Sequence, residues 1–211
     1  VNRRVRTPAA LLLLALVGLA ALFFLLPGRT APAESSREVR FVREMTQHHV
    51  QAIDMATRLR DRTRDRTLRS LALDIILSQQ EQIGQMRGWL TLWGRPWGGA
   101  GMDAAHARAM GMATPAEVQS LDTLSVPQAE VRFLQLMRRH HQGALAMVQP
   151  VLSGPLRPEV RALARQIAAS QGAEIRLMDS LLKERGATPL PAPGQDMDGM
   201  DMGGAGEKHD H

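Results

Sequence analysis

One pattern governs what this chain can fold into: the same unit is written twice, 92 residues apart. FVREMTQHHVQAIDMA at 41–56 returns as FLQLMRRHHQGALAMV at 133–148. Phe41, Met45, His48, His49, Ala52 and Met55 thereby pair with Phe133, Met137, His140, His141, Ala144 and Met147. The same offset carries LALDIILSQQEQIGQM at 71–86 onto LARQIAASQGAEIRLM at 163–178, including Gln79 onto Gln171 and Met86 onto Met178. A constant register across both segments marks one supersecondary unit used twice.

Each unit reads as a helical hairpin. Apolar residues recur at spacings of three and four, and neither Pro nor Gly interrupts 37–62. The first hairpin is expected to turn near 60–66, and its second helix to run to about Trp93, before Gly94 and Pro96. In the second unit Ser125 is an expected N-cap with Gln128 at the capping-box position, and the helix is expected to stop at Pro150. Gly154, Pro155 and Pro158 read as the turn, and Gly186 as the end of the last helix. Thr114 and Glu117 cap a short connecting helix. The expected fold class is therefore all-α, a four-helix bundle made of two repeated hairpins. Its divisions are an export segment at 1–33, repeat 1 at 34–93 and a Gly/Met-bearing loop with a short helix at 94–124. Repeat 2 follows at 125–186, then a flexible Met/His tail at 187–211. Seven aromatics in 211 residues, with no tyrosine, agree with helix over a β-sandwich.

The net charge of +5 sits mostly in one place. Residues 1–33 hold four arginines and no acidic residue, and 9–26 is an uninterrupted apolar run. That combination reads as an export signal, either a transmembrane anchor binding the membrane or a signal peptide cleaved after Ala31-Pro32-Ala33. Setting those arginines aside leaves 22 basic residues against 21 acidic ones. No basic, aromatic-interleaved patch remains, so nucleic acid is not an expected partner. The rest of the chain is expected outside the cytoplasm, periplasmic or otherwise extracytoplasmic.

On a helical wheel Phe41, Met45, His48, Ala52 and Met55 share one stripe with His49 beside it, and the second unit repeats this. The neighbouring helix adds Met86 or Met178, and Gln79 or Gln171. Core-filling methionines and histidines hydrogen-bonded to Gln or a carboxylate explain such residues singly. Doubled His-His with flanking Met at identical register points further, to metal. Thioether sulfur favours Cu(I), and imidazole suits copper of either charge. Glu-x-x-His and H-E-x-x-H are absent, which argues against a diiron carboxylate centre and a zinc protease, and with no cysteine a thiolate site is excluded. Copper is the expected cofactor. The candidate ligands are His48, His49, His140, His141, Met45, Met55, Met137, Met147, Met86 and Met178. The tail adds Met197, Met200, Met202, His209 and His211, and the loop holds Met102, His106, Met110 and Met112.

The pattern F-x-x-x-M-x-x-HH-x-x-A-[IL]-x-M, followed by L-A-x-x-I-x-x-[SA]-Q-x-x-E-I-x-x-M, resembles the DUF305 family of exported bacterial proteins over about residues 38–186. The resemblance implies a ferritin-like four-helix bundle, and some members look like periplasmic copper-binding proteins involved in copper tolerance. By position the motif falls on Met45, His48, His49 and Met55, and on Met137, His140, His141 and Met147. The Q-x-x-E-I element falls on Gln171, Glu174 and Ile175, while Gln82 stands where the first unit would carry its glutamate.

Taken together, the expected function is an exported protein that sequesters or transfers copper, partnered by the metal ion and by an envelope copper-handling protein. The alternative is a metal-free envelope bundle that is structural or binds a partner. An enzyme is not expected, since no nucleophile–base pair or cofactor fingerprint occurs.

Overall fold

The computed structural model describes residues 12–18, 30–99 and 101–194. Among the described residues there is no strand. The segments are α1 (described over 12–18), α2 (Arg37–Arg62), α3 (Arg66–Leu92), α4 (Ala104–Ala109), α5 (Pro115–Thr123), α6 (Val126–Ser153) and α7 (Pro158–Glu184). Packing of α2 on α3, α6 on α7 and α2 on α6 makes the expected four-helix bundle from two hairpins.

Local chemistry sets the helix ends. Ser36 and Asp65 accept from the amides of Val39 and Leu68 and cap α2 and α3. Thr114 and Glu117 form the expected capping box of α5, and Gln128 Oε1 accepts from the amide and the hydroxyl of Ser125. Gly94 and Gly186, at φ of 62° and 63°, take the left-handed conformation that ends α3 and α7.

Three expectations need correction. The helix expected to stop at Pro150 continues to Ser153. Proline removes only its own amide donor, and Val151, 3% exposed, keeps the last turn packed until Gly154. The connecting loop holds a second short helix, α4, capped by Asp103. Most consequentially, the expected membrane anchor, and the membrane as a partner through it, does not stand. Among the described residues no helix is long and apolar enough to cross a membrane. Beyond 12–18 the run 9–26 lies outside the described residues.

The two hairpins are related by an approximate two-fold relationship. One core cluster gathers Met45 and Met86 with Met147, and the other gathers Met137 and Met178 with Met55. Early α2 thus packs with late α6, and early α6 with late α2, so these helices run antiparallel. The connection from α3 to α6 must then travel the length of the bundle, about 40 Å for helices of this size. It climbs α2 in register. Arg43 donates to Pro96 O at 2.8 Å, Gln47 accepts from the Met102 amide at 3.1 Å, and Gln51 holds both the amide and the carbonyl of Ala113. Arg62 donates to Leu124 O at 2.7 Å. This ladder lays the connection over the middle of the α2–α6 face.

Candidate metal centre

The four repeat histidines meet at that middle. His48, His49, His140 and His141 are all 0% exposed. The rings of His48 and His140 stack across the α2–α6 contact with centroids 3.6 Å apart, and His49 and His141 flank them at 6.5 and 6.2 Å from their sequence neighbours.

Three of the rings are held from outside the layer by the same nitrogen. Nε2 of His48 lies 3.0 Å from Met110 O, Nε2 of His49 2.7 Å from Gln82 Oε1, and Nε2 of His141 2.6 Å from Glu174 Oε2. Each partner is an oxygen that accepts, so each Nε2 carries the proton and, in the neutral ring, Nδ1 keeps a lone pair. Among the described residues, Nδ1 of these three rings and both nitrogens of His140 have no hydrogen-bond partner. Leaving a buried polar atom unpaired costs about 1–3 kcal/mol. A metal-bound imidazole has this arrangement: one nitrogen bare for the ion, the other donating to a carbonyl or carboxylate.

Three of the four rings are held uncharged by their surroundings. Burial, reinforced by the neighbouring His49, lowers the His48 pKa to about 3, and burial lowers that of His49 to about 4 against the opposing bond to Gln82. Burial and the adjacent imidazoles push His140 well below its ordinary value. Neutral imidazole is the form that binds metal.

The thioethers flank the histidines above and below. Met45, Met86 and Met147 lie in one core cluster, and Met137, Met178 and Met55 in the other. Five of the six are 0% exposed, and Met147 is 9% exposed. Met86 Sδ accepts from the Thr46 hydroxyl at 3.7 Å. Among the described residues no three His, Asp or Glu side chains are grouped to hold an ion by themselves.

The glutamines singled out by sequence face inward as expected, but the histidines bond to residues one turn further along. Gln79 and Gln171 are buried, yet their amides have no partner among the described residues, while Gln82 and Glu174 take the histidines. The Q-x-x-E element carried that signal, because residues three apart share a helical face. Nothing in the sequence pointed to the Met110 carbonyl. It reaches His48 because Gly143 leaves room: a Cβ there would stand 1.7 Å from Met110 O. Gly143 is the repeat counterpart of Gln51, so one unit clamps the connection and the other seats it. In the loop, Met112 is 8% exposed, Met102 and Met110 are half-buried, and His106 is exposed with Glu44 at 3.8 Å. Met197, Met200, Met202, His209 and His211 lie outside the described residues.

No curated protein matches the chain. Solved structures do. A DUF305 fragment from Deinococcus radiodurans is 53% identical, spanning 72% of this chain and 99% of its own, with a TM-score of 0.68. A DUF305 protein from Streptomyces coelicolor, described as secreted, is 42% identical over 75% of this chain and 98% of its own, at 0.69. CopM in a Cu(II)-bound form is 31% identical over 70% of this chain and 96% of its own, at 0.61. CopM has also been solved with Cu(I) and with silver. The family model described as Domain of unknown function (DUF305) matches residues 38–182 and 146–209, and by that match and these likenesses the chain belongs to the DUF305 family.

Proposed function

We propose that this protein binds copper outside the cytoplasm, as a sequestering or transfer protein, through its central histidine layer and the methionines flanking it. The observation that carries the reading is the set of five buried ring nitrogens without partners, with three of the rings fixed by an Nε2–H bond directed away from the layer. Such nitrogens are costly in a core that binds nothing, and the one lone pair that a neutral imidazole keeps is what a soft or borderline metal requires. The likeness to CopM, solved with Cu(I), Cu(II) and silver, supports the choice of metal. Likeness to a relative described as secreted, with the basic and apolar segment at 1–33, supports the location. Binding rather than catalysis suits a site sealed from solvent, and an envelope copper-handling protein is the partner such a role calls for.

A metal-free bundle is the second reading. The bonds from His49 to Gln82 and from His141 to Glu174 are the partners it would need. Copper titration followed by thermal unfolding separates the two. A native-state ligand at a hundred times its Kd adds about 2.7 kcal/mol of stability. That gain is expected in the full chain and in a variant with Met197, Met200, Met202, His209 and His211 replaced by Ala. It is expected to vanish when His48, His49, His140 and His141 are replaced. No copper-dependent rise in the full chain would leave the metal-free bundle standing.

A further inference from the structure

The two outer histidines make the same bond with one chemical difference. His49 reaches Gln82 at 2.7 Å and His141 reaches Glu174 at 2.6 Å, each partner 33 residues downstream and at equivalent positions of the repeat. In the first half the acceptor is a neutral amide; in the second it is a carboxylate. The flanking thioethers are matched one for one, and the ring spacings of 6.5 and 6.2 Å are nearly equal. The outer rings thus differ in the charge behind them, and the inner rings differ in that Met110 O holds His48 while His140 has no hydrogen-bond partner among the described residues.

That difference bears on the ion each half can hold. A dication in a site walled off from water, with only neutral ligands around it, leaves its charge uncompensated. A carboxylate across the imidazole ring raises the basicity of Nδ1 and balances part of that charge. Glu174 also lines a groove of about 260 Å³ between α3 and α7, together with Thr67 and Asp74 of α3 and Leu177 of α7. Gln82 is 2% exposed and brings no charge. A monovalent soft cation needs none, because thioether and neutral imidazole satisfy it.

Resting on the reading of the histidine layer as a metal centre, we infer that the halves are two inequivalent sites. The His140–His141 half takes a divalent cation, with Glu174 as its positioning and charge-balancing residue. The His48–His49 half, backed by Gln82, takes a soft monovalent cation.

The test uses the full metal-free chain, titrated with Cu(II) in air and with Cu(I) anaerobically against a competing chelator. Glu174→Gln turns the second half into a copy of the first, and Gln82→Glu does the reverse. Glu174→Gln is expected to weaken the tightest Cu(II) equivalent by about 10–100-fold and to shift its EPR signal. Cu(I) affinity is expected to change by less than about threefold. Gln82→Glu is expected to create a second tight Cu(II) equivalent. If Glu174→Gln fails to fold, the double variant carries the test, because moving the carboxylate must move the Cu(II) site to the His49 half. Cu(II) affinity within threefold of the parent, or an equal loss for Cu(I) and Cu(II), overturns the inference while leaving copper binding intact. A parent chain that binds neither ion overturns the broader reading and this one with it.

Discussion

His48 and His140 stack with ring centroids 3.6 Å apart and planes inclined by 32°, although 92 residues separate them in the chain. They are the same position of the two repeats. Two antiparallel copies of a helix meet at the residue nearest their two-fold relationship, and here that residue is a histidine. The consequence is a layer of imidazoles at the centre with thioethers on either side.

Acid is expected to destabilise the metal-free protein across a defined window. His48 and His49 have native pKa values of about 3 and about 4, below the 6.5 of a free imidazole. Between those limits the unfolded chain binds protons that the native chain refuses. Their contribution is complete above pH 6.5, declines by about 1.4 kcal/mol per pH unit for each histidine as pH falls, and levels off below pH 3. Denaturant midpoints at pH 7.5, 6 and 5 check this. A flat profile from 7.5 to 5 would show that the histidines are solvated.

Two glycines should respond to alanine in opposite directions. A Cβ at Gly143 would collide with Met110 O, so Gly143→Ala should cost about 1–3 kcal/mol and release the proton on His48 Nε2 from its carbonyl. Gly84, inside α3 with nothing within 4 Å of an added Cβ, should gain up to about 1 kcal/mol. Urea midpoints give the stabilities, and the imidazole NH resonance reports the bond.

Replacing Met45, Met86 and Met147 by Leu tests the thioethers apart from their packing. Leu for Met nearly conserves volume, so each change should cost under about 1.5 kcal/mol. Binding of Ag(I) or Cu(I) should nevertheless weaken, since Leu offers no sulfur. Unchanged Ag(I) affinity in the triple variant would assign these methionines to packing alone.

Gln51→Ala should loosen the connection without touching the bundle. Gln51 satisfies both the amide and the carbonyl of Ala113, at 2.8 and 2.9 Å. Its loss should cost about 1–3 kcal/mol and speed hydrogen exchange in 110–114 more than in α3 or α7. Equal protection in the parent and in Gln51→Ala would mean that α5 is held by its apolar contacts.

Much of this was legible because it is local. Helix spans, caps and the hairpin turns follow from a 3.6-residue period and from side chains that bond amides two or three residues away. The repeat register fixed which residues are equivalent. Pro150 misled, because a proline signals a missing donor and says nothing of the packing that keeps Val151 in the helix. Gln79 and Gln171 are buried as expected, but several polar residues share one face, and the wheel does not say that Gln82 and Glu174 are the ones that meet the imidazoles.

The sequence by itself determined two copies of an amphipathic hairpin, their inward histidines and methionines, and the exchange of Glu174 for Gln82 at one repeat position. Only the tertiary structure decided that the copies pack antiparallel, which sorts six methionines into two groups of three and brings His48 onto His140. It also decided that the connection must run the bundle's length, and so that Met110 O meets His48 over Gly143. Periodicity reports which face of a helix is buried. Direction of packing, and the route of a long connection, depend on contacts between residues far apart in the chain, which no local pattern encodes.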